Sequence, residues 1–113
     1  MADAHFAKLL FLEAKEIGDP DGADELFVSR GDGVIFEQTR MSKGDVFEFD
    51  ERFLPFVNQA PIDVVLHELN QNTDQVTFIG GAGIVAGELG LGERTQGIGA
   101  LSQSLYELTY KVL

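Results

Sequence analysis

Val46-Phe47-Glu48-Phe49-Asp50 alternates residue by residue, with Phe47 and Phe49 on one face and Glu48 and Asp50 on the other. A period of two marks a strand with one face on a core and the other in water. Before it, Ser42-Lys43-Gly44-Asp45 reads as a turn and Val34 to Thr39 as the preceding strand. Gly31-Asp32-Gly33 is a hairpin-type turn joining that strand to Glu25–Arg30. Phe6 to Ile17 holds good helix formers, but Leu10, Leu12 and Ala14 share one strand face, with Leu9 and Phe11 on the other. Because everything after it is β-like, it reads as a strand buried on both faces.

Downstream, Phe53-Leu54-Pro55-Phe56-Val57 carries a proline and reads as an edge or an irregular connection. Ile62 to Glu68 is a strand, Leu69 to Asp74 a polar loop, and Val76 to Ile79 a further strand. Eight glycines between Gly80 and Gly99 exclude a helix interior and predict a bulged strand near Ile84-Val85, then a long loop. Gly81-Ala82-Gly83-Ile84-Val85-Ala86 matches the text of a dinucleotide fingerprint, but continuing glycines break the helix that motif needs. Ser104 to Val112 ends the chain with Tyr106, Leu108, Tyr110 and Val112 against Leu105, Glu107, Thr109 and Lys111. About eight short strands separated by Gly, Pro and Asp turns predict an all-β, antiparallel Greek-key β-sandwich. A single domain over residues 1–113 is expected. The alternation predicts a core of Leu10, Leu12, Phe47, Phe49, Val64, Leu66, Leu108 and Tyr110.

Nine Phe and 44% hydrophobic residues predict a packed interior. Eight Lys and Arg against nineteen Asp and Glu give a formal net charge of −11. That argues against nucleic acid and against unaided binding to an anionic membrane. The absence of cysteine removes disulfides and thiolate chemistry. Met1-Ala2-Asp3-Ala4-His5 has no basic region followed by an apolar core, so a cytoplasmic location is expected. His5 lies in the start of the chain and His67 on the polar face of a strand, so the histidines support no catalytic reading.

Gly18-Asp19-Pro20-Asp21-Gly22-Ala23-Asp24-Glu25-Leu26-Phe27-Val28 crowds four carboxylates into a turn and the start of a strand. Two readings fit: a solvated acidic loop, or a loop whose repulsion is relieved by a hard cation held on Asp and Glu oxygens. On the second, neutralising Asp24 should slightly stabilise the metal-free protein. The stretch resembles the first calcium loop of the C2 domain family, the calcium- and phospholipid-binding β-sandwich. In that family an Asp opens the loop, and a Gly precedes a second Asp followed by an aromatic residue and Val. Val64-Val65-Leu66-His67-Glu68, the polar loop and Phe78-Ile79-Gly80 resemble that family's strand, third loop and Phe-Ile/Leu-Gly signature. Tyr106 to Val112 is similar to the closing strand of C2-like segments in uncharacterised bacterial proteins.

The resemblance implies a non-enzymatic module that contacts a protein partner or another copy of itself. Its candidate calcium ligands are Asp19, Asp21 and Asp24 from the first loop, with Asn72 and Asp74 from the distal loop. The distal loop offers only Glu68, Asn70, Asn72 and Asp74 where calcium-binding members carry several Asp, so weak affinity is expected. The alternative is a small β-barrel enzyme or carrier that uses its interior as a ligand pocket.

Overall fold

The computed structural model describes residues 3–18, 22–70, 75–99 and 104–113. Among these residues eight strands follow in order: β1 (Phe6–Glu16), β2 (Ala23–Arg30), β3 (Ile35–Ser42), β4 (Val46–Pro55), β5 (Ile62–Asn70), β6 (Gln75–Ile84), β7 (Glu93–Gly99) and β8 (Leu105–Val112). One short 3-10 turn, Ala86–Glu88, lies between β6 and β7. They form two four-stranded antiparallel sheets, β4-β1-β8-β7 and β3-β2-β5-β6, packed as a sandwich. β1 and β4 pair in one sheet while the intervening β2–β3 hairpin lies in the other, a Greek-key connection. None of the helices among the described residues is long and apolar enough to cross a membrane.

The turns fall where Gly and Asp place them. Gly33 and Gly44 take φ of 88° and 89°, the left-handed region that glycine enters without a Cβ penalty. Asp32 accepts the Val34 N–H, and Asp45 the Ser42 N–H, so each turn carries an Asp cap. The β4 strand runs through Phe53-Leu54-Pro55, with Pro55 last on an edge strand, where a missing N–H costs no ladder bond.

Leu9, Leu12, Leu26, Leu66, Ile79, Ile84, Ile98 and Leu108 fill the space between the sheets, with Tyr106 and Tyr110. Of the core read from alternation, Leu12, Phe49, Val64, Leu66, Leu108 and Tyr110 are buried. Phe47 is half-buried, edge-on to Phe49 at 5.2 Å. Leu10 is a correction: it is only half-buried, and Leu9 takes the core position. The cause is a β-bulge. Against β8 the register steps from Leu9–Tyr110 to Phe11–Thr109, so Leu10 is an extra residue and the strand changes phase. Against β4 it steps from Leu9–Arg52 to Phe11–Glu48, with Asp50 and Glu51 at φ 48° and 63° forming the opposing bulge.

The Gly-rich segment is the second correction. Gly80, Gly81 and Gly83 belong to β6, and what reads as a long loop contains β7. A Cβ on Gly80 would sit 2.8 Å from the Gly99 nitrogen, so these two edges approach as only glycine allows. Gln96 then donates to the Gly83 carbonyl at 2.7 Å, and the Tyr110 hydroxyl anchors Glu88 after β6. At the opposite edge Arg52 of β4 donates to the Phe36 carbonyl and to Glu37 of β3, at 3.1 and 2.7 Å.

Candidate functional site

Asp24 is the second residue of β2, where inward-facing positions of that sheet begin. It is fully buried. Its Oδ2 accepts the Tyr106 hydroxyl at 2.5 Å and the Ser104 hydroxyl at 2.9 Å, both from the chain at β8. Ser104 Oγ in turn accepts the Gly18 N–H at 2.9 Å. The network therefore ties the β1–β2 connection and one sheet to the start of the last strand in the other. Burial, then the hydrogen bond to Asp24 and the charges of Asp24 and Glu68, hold the Tyr106 phenol far above its ordinary value, so it remains a donor.

Asp24 Oδ1 has no hydrogen-bond partner among the described residues. A buried oxygen left so is costly. Asp19, Asp21, Asn72 and Asp74 lie outside the described residues. Among the described residues, no three His, Asp or Glu side chains come together as a metal cluster. The expected stabilisation on neutralising Asp24 changes sign: its carboxyl receives two hydroxyl donors, so an amide there should cost stability.

A different surface emerges on the outer face of the β3-β2-β5-β6 sheet. Cross-strand register lays its outward side chains in three rows. The central row is Phe78, His67, Phe27 and Gln38; on one side lie Val76, Leu69, Glu25 and Arg40, and on the other Gly81, Val65, Ser29 and Ile35. Ile35, Val76 and Phe78 are 56%, 57% and 50% exposed. Phe27, Ser29, Gly33, Ile35, His67 and Val76 line a groove of about 240 Å³ on this face. His67 packs its ring against Phe78 at 5.6 Å, so an apolar neighbour holds the imidazole.

This face was visible in the sequence as a broken alternation. Leu26-Phe27-Val28 and Val64-Val65-Leu66 are apolar at consecutive positions, so one residue of each run must face outward if its neighbours fill the core. Which strands bring those outward residues together depends on register across β6, whose bulge between the Leu66 and His67 pairings puts Phe78 beside His67. The sequence matches no protein-family model and no curated protein.

Proposed function

We propose that this chain is a non-enzymatic, C2-like binding module that docks a protein partner through the outer face of the β3-β2-β5-β6 sheet. The observation that carries this reading is the exposed trio Ile35, Val76 and Phe78 around an apolar groove, on a sheet face that water would otherwise cover. The two-sheet antiparallel sandwich supports the C2-like part. Weak calcium binding at the acidic end, through Asp19, Asp21, Asp24, Asn72 and Asp74, belongs to the same proposal and is supported by the unpartnered Asp24 Oδ1. The carrier alternative gains no support from the interior, where Leu and Ile side chains fill the inter-sheet space.

Site-specific photo-crosslinking tests the docking surface. A photoreactive phenylalanine analogue at Val76 should give one defined protein adduct in cells, and the purified pair should re-form. The same analogue at Leu91, exposed outside this face, should not. Equal adducts at both positions, or none at Val76, overturn the reading.

A further inference from the structure

The charge around the groove selects its occupant. Among the described residues, Glu25 and Arg40 close one end of the apolar rows, and Arg30, Asp32 and exposed Asp63 lie at the turn end of the sheet, Asp63 beside Gly31. Each of these two arginines is held by a carboxylate, Arg40 by Glu25 and Arg30 by Asp32 at 3.0 Å. The chain as a whole carries −11. A second copy placed on this face would bring −11 against −11, a repulsion that weighs against self-association at moderate salt. A cationic partner is attracted by the same field.

The groove's shape sets the other half. An apolar cavity of about 150 Å³ is enough to take benzene, so this one, about 240 Å³, has room for an aromatic ring or a leucine side chain. Phe27 and Ser29 lie in the middle strand, with Ile35 on one flank and His67 and Val76 on the other. Ser29, buried at the floor of the groove, reaches the Val65 carbonyl with its Oγ at 3.5 Å.

Resting on the docking reading above, we infer that the partner segment is a cationic peptide stretch. One large apolar side chain enters the groove between Ile35 and His67, and flanking Lys or Arg residues meet Asp63 and the net negative field of the chain, since Glu25 and Asp32 are already paired with Arg40 and Arg30. Hot-spot logic fits this arrangement: one buried aromatic or aliphatic anchor carries affinity, and rim charges set encounter rate and specificity.

Fluorescence anisotropy with three labelled peptides tests it: Lys/Arg flanking a central Phe-Leu pair, the same apolar pair flanked by Glu, and the same cations flanking Gly-Ser. The cationic apolar peptide should bind about tenfold or more tighter than either analogue, and weaken as salt rises. Val76→Asp and Ile35→Asp, both at exposed strand positions, should each lose about tenfold or more while keeping the melting temperature of the parent. If the Glu-flanked peptide binds equally well and Val76→Asp abolishes both, the docking face stands and the charge inference fails. If the cationic peptide shows no saturable binding up to about 1 mM, or Val76→Asp leaves binding unchanged, the inference is overturned. A doubled light-scattering mass that Val76→Asp reverts to monomer would make a second copy the occupant and also overturn it.

Discussion

Tyr106 donates its hydroxyl to Asp24 Oδ2 at 2.5 Å, joining residues eighty-two positions apart in opposite sheets. Tyr106→Phe removes one of the two donors to that oxygen, and the buried acceptor cannot turn to water instead. The variant should lose about 1–3 kcal/mol in urea unfolding. Asp24→Asn should also be destabilised, and in the double variant the losses should add to less than their sum, because both single changes break one bond. Fully additive losses would separate the two residues energetically.

The raised Tyr106 phenol makes a pH prediction. Its folded value lies above the ordinary 10.0, because burial and then Asp24 disfavour the phenolate. The sign follows: the stabilisation is fully present below about pH 10 and is lost as pH rises above it. Tyr110 is raised too, first by burial, so the wild type should fall steeply in alkali. Tyr106→Phe should remove about 1.4 kcal/mol per pH unit from that alkaline slope. An unchanged slope would remove Tyr106 from the account.

The β1 bulge separates two neighbouring leucines. Leu9, 1% exposed, faces the core, whereas Leu10 is half-buried. Leu9→Ala should cost about 2–5 kcal/mol and Leu10→Ala clearly less. Phe49→Ala, in the core of β4, should cost about 3–5 kcal/mol. Equal costs at positions 9 and 10 would contradict the phase change.

Glycine at the sandwich edge is equally specific. Gly80→Ala forces a Cβ to 2.8 Å from the Gly99 nitrogen, so β6 and β7 must separate. A loss of about 1–3 kcal/mol is expected, against little change for Gly87→Ala, where nothing lies within 4 Å. Thermal melts of the pair check it.

Most of the architecture was legible because turns and alternation speak locally. Gly31-Asp32-Gly33, Ser42 to Asp45 and the Phe47/Phe49 alternation each decide their element within five residues. Two features escaped because they depend on a neighbour. The Leu10 bulge shows only in the register against β8 and β4, and β7 needs Gly80 opposite to approach its partner. The docking face depends on the same long-range register. Asp24 stood out as part of an acidic stretch, but hydroxyls eighty and eighty-two residues away, on Ser104 and Tyr106, occupy its Oδ2.

Calcium tests the acidic end. A cation bound only by the folded form should stabilise it by about 2.7 kcal/mol at a hundred times its dissociation constant, and a weak site of about 10⁻⁴–10⁻³ M is expected. Millimolar calcium should raise the melting temperature more than magnesium does. Asp19→Asn with Asp21→Asn should abolish the response, and Asp32→Asn, in the β2–β3 turn beside Arg30, should leave it intact. Equal melting in calcium and chelator would leave the acidic stretch a solvated turn.

The most direct test of the docking claim is a ¹H–¹⁵N spectrum of the protein titrated with the cationic apolar peptide. The account predicts shifts concentrated at Phe27, Ile35, His67, Val76 and Phe78. Shifts centred on the opposite sheet, at Val46–Pro55 or Glu93–Gly99, or no shifts at saturating peptide, would contradict it.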